Sequence, residues 1–238
     1  MHFPFRRALL SFAVLGGLCL SGIVHAQTFD ATADYGPGVS NPNGVWKYGY
    51  TTTLGGSFTL FDQYLDDPEP GGTLAMWRVA FPSGGAALIA QNNTPNNFAG
   101  VDPGQLYMHP GPLNQFAVLR FVAPSTGVFD VAGAYFTGDS GNTDAYLLEN
   151  SGSPLFSTGS TTGGGTFSFT GLSLTQNDTI DLAIGTGGDN WFSDSTPINL
   201  VVTQTTEAVP EPGAIGLLAG VGIFSGALMI RRRRHFRA

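Results

Sequence analysis

The chain has 238 residues, 42% hydrophobic and only 11% charged, with 34 Gly and 15 Pro. That much glycine and proline excludes a coiled coil or helical bundle, because glycine loses backbone entropy in a helix and proline brings no N–H. A mean hydropathy of +0.09 with 12% aromatics excludes a disordered chain. The net charge of −7 is unevenly spread: residues 27–208 carry three basic and sixteen acidic side chains, a net −13 that repels phosphate backbones and argues against any nucleic-acid partner.

Residues 1–26 have the form of a signal peptide. Arg6 and Arg7 make the charged start, Ala8 to Ile23 the apolar stretch, and Val24-His25-Ala26 precedes a cut after Ala26. Such a leader implies the Sec translocon and signal peptidase as partners; an uncleaved anchor is the alternative. The single cysteine, Cys19, lies in this leader, and Leu18 before it is too large for a lipoprotein cut. The body therefore has no disulfide and no thiolate chemistry. An exported body of this kind is held by its core alone, which a domain of this length can supply.

From 27 to 205 no window has helical period and caps. Apolar residues alternate or cluster over short runs bounded by Gly, Pro, Asn and Asp, the mark of strands. The runs are Ser57–Leu65, Leu74–Phe81, Ala86–Gln91, Phe116–Val122, Gly127–Thr137, Ala145–Glu149, Thr166–Thr170, Thr179–Ile184 and Ile198–Thr203. In Gly127–Thr137 the side chains of Phe129, Val131 and Tyr135 share one face. In Thr179–Ile184, Ile180, Leu182 and Ile184 point inward and Asp181 outward. Between runs, Asp66 to Gly72 reads as a rigid acidic loop and Asn92 to Pro103 as a long one. Asp139-Ser140-Gly141-Asn142 and Gly163-Gly164-Gly165 read as tips. About ten short strands predict an all-β fold, an antiparallel β-sandwich or jelly roll, in a single domain over 27–205.

The last segment, 206–238, has three parts. Val209-Pro210-Glu211-Pro212 ends the polar body, Gly213 to Ile230 runs 18 residues without a charge, and Arg231, Arg232, Arg233 and Arg234 follow at once. As a helix the uncharged stretch spans roughly 27 Å, enough for the hydrocarbon core. The arginines stop transfer and keep the tail in the cytoplasm, which leaves the body outside. This order, closing the chain, resembles the PEP-CTERM sorting signal. The resemblance implies that Pro210, Glu211 and Pro212 are recognised by exosortase in a Gram-negative bacterium that makes exopolysaccharide. It further implies a transient inner-membrane anchor, then the cell surface or extracellular matrix after processing. An ordinary single-pass anchor with a proline-rich stalk is the alternative.

Two stretches of the body carry a second likeness. Gly127 to Gly133 with Leu174 to Leu182 resembles the late strands of jelly-roll carbohydrate-binding modules. Together with Pro103 to Gly111, it also resembles uncharacterised β-rich modules found ahead of PEP-CTERM tails. These likenesses imply a fold and a surface setting, not an activity.

Catalytic signals are sparse. The body has one histidine, His109, in a turn, and no Gly-x-Ser-x-Gly elbow, so a nucleophilic triad is not indicated. One histidine without cysteine does not fill a zinc site. Carboxylate pairs for glycoside hydrolysis are too numerous among sixteen acids to single one out. Asp139, Asn142 and Asp144 have the oxygen ligands of a structural calcium, with Asp189, Asn190 and Asp194 as a second cluster; neither fits an EF-hand, and both also suit plain turns. Sugar binding uses an exposed aromatic face beside polar groups. Trp191, flanked by Asp189 and Asp194, has that setting, and Trp46 near Tyr48 and Tyr50 is the second candidate. The expected role is non-catalytic attachment to exopolysaccharide, with a self-associating surface protein and a polysaccharide hydrolase or lyase as alternatives.

Overall fold

A computed structural model describes residues 26–80 and 87–205. These belong to a unit running His25–Glu207. The leader before Ala26 and the sorting segment, with Val209 to Pro212 and Arg231 to Arg234, lie outside the described residues. Among the described residues no helix is long and apolar enough to cross a membrane.

The strands are β1 (Gln27–Asp30), β2 (Trp46–Thr51), β3 (Thr59–Leu60), β4 (Gln63–Glu69), β5 (Gly72–Arg78), β6 (Leu88–Asn92) and β7 (Leu106–His109). They continue with β8 (Phe116–Val122), β9 (Gly127–Tyr135), β10 (Asp144–Glu149), β11 (Pro154–Ser157), β12 (Gly165–Leu174), β13 (Thr179–Gly185) and β14 (Thr196–Thr205). One helical turn, α1 (Ala31–Asp34), is capped by the Asp30 carboxylate, which accepts from the N–H groups of Thr32 and Ala33. All pairings are antiparallel. One sheet runs β12-β9-β14-β7-β6-β5-β4, with β1 also on β14; the other runs β11-β10-β13-β8-β2-β3. β14 is long enough to hold β9 along one edge while β7 and β1 share the other.

The two-residue period decides the packing. Phe129, Val131 and Tyr135 of β9 and Ile180, Leu182 and Ile184 of β13 all enter one core, together with Leu106, Met108, Leu119, Leu200 and Val202. Both sheets contribute to it, so the architecture is a β-sandwich. Each buried Leu, Ile, Val or Phe contributes about 1.5–3 kcal/mol, in a body that has no disulfide to help.

The outer faces are also partly covered. Leu74, Met76, Ala90 and Tyr107 point away from the core and pack under Val101 and Phe98 of the loop after β6. That loop is organised by the buried Asn92, whose amide donates to the carbonyls of Asn96 and Val101 while its oxygen accepts from Thr94 N–H. On the other sheet, Asp181 faces outward as its register predicts, yet it does not meet solvent. Its residue is 3% exposed and it forms a bidentate pair with Arg120, both contacts at 2.7 Å. The Arg120 guanidinium lies over the Phe58 ring at 4.1 Å. Burial pushes the Asp181 carboxyl up, and Arg120 opposes that shift.

Several predicted elements need correction. The run Ser57–Leu65 is broken: Phe58 folds over the outer face, Phe61 turns into the core, and only Thr59–Leu60 pairs before β4 begins. The supposed acidic loop after Asp66 is β4 itself, paired with β5 through Asp66, Asp67, Pro68 and Glu69. Pro68 is accommodated because β4 is an edge strand, where a missing N–H costs no ladder bond. Strands β1, β2, β7 and β11 are not legible as runs, and His109, read as a turn residue, closes β7, where it pairs with Leu88. The opposing end of the Leu74–Phe81 run and the start of Ala86–Gln91 fall on residues 81–86, outside those described.

Removing one partner of the buried pair leaves the other charge uncompensated. Arg120→Ala is expected to lower the unfolding free energy in urea by about 3 kcal/mol. The double change Arg120→Met with Asp181→Leu should cost less than Arg120→Ala alone; equal loss would show that the charge plays no part.

Candidate functional site

One end of the sandwich gathers the predicted site residues. Met108 near the end of β7 pairs with Thr196 at the start of β14, Tyr135 at the end of β9 pairs with Ile198, and Asp144 at the start of β10 pairs with Gly185. The loop after β9 and the loop before β14 therefore emerge side by side. They stay paired beyond the sheet: Phe136 N–H donates to Pro197 O, Asp139 N–H to Ser195 O and Gly141 N–H to Ser193 O, at 2.8, 3.1 and 2.8 Å.

The loop before β14 carries an aromatic shelf. The rings of Trp191 and Phe192 lie 4.3 Å apart at 31°. Phe192 is 63% exposed, and Trp191 is half-buried with the His109 ring edge-on to it at 6.0 Å. Local turn chemistry shapes the loop. Gly187 and Gly188 both take positive φ, Asp189 accepts from Asn190 N–H and Asn190 accepts from Phe192 N–H. Exposed carboxylate and amide groups thus stand beside a ring pair, the combination that stacks on a sugar face and bonds its hydroxyls. Trp191 and Asp189 lie on this same loop.

Asp194 and Trp46 are not surface contacts. Asp194 is 1% exposed, so no sugar hydroxyl reaches it from solvent. Trp46 is equally buried, on β2 of the other sheet, with its indole N–H donating to Asp34 at 2.8 Å and its ring edge-on to Phe121. A cleft of about 440 Å³, lined by Gln27, Asp34, Asn43, Gly44 and Trp46 among others, adjoins it, but almost none of the Trp46 surface is left open to solvent. Nothing local marks Trp46 as buried; the partner strand β8 does that. Phe192 went without a role in the sequence because ring exposure is a tertiary property.

The two oxygen-rich runs form one cluster. Asn142 donates to the Asp189 carboxylate at 3.1 Å. Asp144 is occupied by Gly187 N–H and the Tyr146 hydroxyl, and Asp139 by Ser140 N–H. Among the described residues no three His, Cys, Asp or Glu side chains converge as a metal-ligand group, so Asp139, Asn142 and Asp144 do not make a calcium cage by themselves. Burial, and then the charges of Asp189, Asp139 and Asp144, push the Asp194 carboxyl up to about 7.

No protein-family model matches the chain, and no curated protein matches it. Solved structures similar to it include a family 35 carbohydrate-binding module from Cellvibrio japonicus, 21% identical, covering 39% of this chain and 67% of that one with a TM-score of 0.26. A family 35 carbohydrate-binding module from Clostridium thermocellum is 12% identical over 53% of this chain and 86% of that one, TM-score 0.27. An exo-beta-1,3-galactanase from Phanerochaete chrysosporium, solved with galactose, is 14% identical over 61% of this chain and 30% of that one, TM-score 0.30.

His109 donates from Nδ1 to the Pro110 carbonyl at 2.7 Å. Burial holds its pKa below the usual histidine range, opposed by that hydrogen bond and by Asp139. A depressed folded pKa means that the unfolded chain binds the proton first. Its contribution to stability is therefore complete above about pH 6.5 and lost as pH falls through the lowered value. The raised Asp194 carboxyl acts in the opposite sense over the same window, so the His109 share is read by difference: between pH 7.5 and 5 the urea midpoint of His109→Gln should move upward relative to that of the unaltered protein.

Proposed function

We propose that this is an exported, non-catalytic protein of the cell surface or extracellular matrix whose end loops bind polysaccharide. The observation that carries the reading is the Trp191–Phe192 shelf: a tilted ring pair, Phe192 exposed and Trp191 half-buried, beside Asp189 and Asn190 on a loop tied at Ser193 and Ser195 to the loop after β9. A preset shelf loses little entropy when a sugar ring settles on it. His109 is engaged with its own neighbour Pro110 rather than with a hydroxyl, which supports binding over nucleophilic chemistry. The acidic, proline-bearing edge of β4 resists strand addition, which disfavours polymerisation through that edge.

Delivery follows from the chain ends. The leader takes the body through the Sec translocon, with signal peptidase cutting after Ala26. The span 213–230 and Arg231 to Arg234 hold it in the inner membrane. Exosortase then acts at Val209 to Pro212 and passes the body outward.

Binding is tested by co-sedimentation of the purified protein with exopolysaccharide from the source bacterium. Trp191→Ala should weaken binding about tenfold, the loss of one aromatic anchor worth roughly 1–2 kcal/mol. Phe192→Ala should weaken it less, and Trp46→Phe should act on stability alone. Equal binding by Trp191→Ala overturns the site; no binding by the unaltered protein overturns the function. For sorting, Glu211→Ala should accumulate an unprocessed species in the inner-membrane fraction on immunoblots, and normal release would refute recognition at that motif.

A further inference from the structure

We propose that a divalent cation of the calcium class binds between the loop after β9 and the loop before β14, anchored by the carboxylate of Asp194. Both Asp194 oxygens are buried and without a hydrogen-bond partner; the other such atoms among the described residues are the hydroxyls of Tyr48 and Thr51. A buried carboxylate with no donor is expensive, and native folds meet such a group with an ion, a water or a proton.

The surroundings favour the ion. A side chain at Gly141 would collide with Asp194 Oδ1 and with the carbonyls of Phe192 and Ser193, so three oxygens of one loop lie close together against this glycine, the Ser193 carbonyl also accepting from the Gly141 N–H. Asp139, Asp144 and Asp189 add negative potential at Asp194. Among the described residues no basic side chain relieves it: the ion pair found there is Arg120 with Asp181, far along the chain, and Arg78 bonds Gln63. A small polar cavity of about 10 Å³, lined by Asp139, Gly141 and Ser193 among others, adjoins the same place.

The chemistry of the donors sets the class. Carboxylate and carbonyl oxygens without thiolate suit a hard cation, and calcium tolerates an irregular set of six to eight oxygens completed by water. Such an ion would cancel the repulsion among the four carboxylates and clip one loop to the other. It would thereby hold the segment that carries Trp191 and Phe192. This goes beyond glycan binding and is measured without any polysaccharide, so either result is readable when the other fails.

The test uses the full chain in detergent, stripped with chelator. Terbium is titrated in while tryptophan is excited, then displaced with calcium chloride, and melting is followed with and without calcium. Saturable sensitised emission, its displacement by calcium, and a higher Tm in calcium are expected. Asp194→Asn should abolish all three. Asp189→Asn, at the exposed rim, should fold and weaken calcium about tenfold. If Asp194→Asn fails to fold, Asp189→Asn and Asp139→Asn decide: weaker calcium in either supports the site, and unchanged affinity in both overturns it. No emission and no calcium-dependent Tm overturns it, as does unaltered terbium affinity in a folded Asp194→Asn. A calcium-insensitive protein that Asp194→Asn stabilises would show a protonated carboxyl in place of a metal.

Discussion

Phe121 on β8 packs its ring against Phe29, Trp46 and Phe129, with centroids 5.3, 5.5 and 5.9 Å away. Phe29 and Phe129 come from one sheet, Trp46 and Phe121 from the other. This tilted and edge-on cluster closes the seam between the sheets, and nothing covalent does so in its place. Since the body has no disulfide, shifting the sheets would open voids around these rings, and interiors tolerate voids poorly. The seam therefore fixes the offset of the two sheets and, with it, which loops emerge next to each other at each end.

At one end that offset produces an electrostatic conflict. The charges of Asp189, Asp139 and Asp144 all act on the buried Asp194 there, in a body already at −13. The backbone bonds from Asp139 and Gly141 to Ser195 and Ser193 keep them there. The contrast with Asp181 is instructive. It is just as buried, but Arg120 answers it with two hydrogen bonds and Phe58 shields the pair. Asp194 has no such answer within the described chain, and a fold does not usually retain an unanswered buried charge without an external partner.

The same loop carries the paired rings of Trp191 and Phe192, of which Phe192 is exposed. That loop therefore carries both the ring pair and, two positions after it, the buried Asp194. The charge-free stretch 213–230 and the arginines after it lie outside the described residues; in the proposed reading they tether the body on the outer side of the inner membrane. In that reading the polysaccharide matrix is the ligand proposed for the ring pair.

What the sequence by itself determined is local. Period-two alternation identified most of the strands and the inward faces of Phe129, Val131, Tyr135, Ile180, Leu182 and Ile184, because a strand's side chains alternate whatever lies around them. Turn chemistry likewise marked the loop bearing Trp191, and the charge-free run with its arginines was plain from composition. Only the tertiary structure decided the rest. Trp46 and Trp191 both sit near Asn, Gly and aromatic residues, yet β8 buries one fully while the end loop leaves the other half-buried. Asp66 and Asp67 look like loop residues until β5 supplies the partner that makes them a strand. Asp139 and Asp194 are 55 positions apart, and their meeting depends on β14 being paired with β9 and β7. Such burial and juxtaposition arise from contacts distant in the chain, and local residue pattern does not encode which distant segment will arrive.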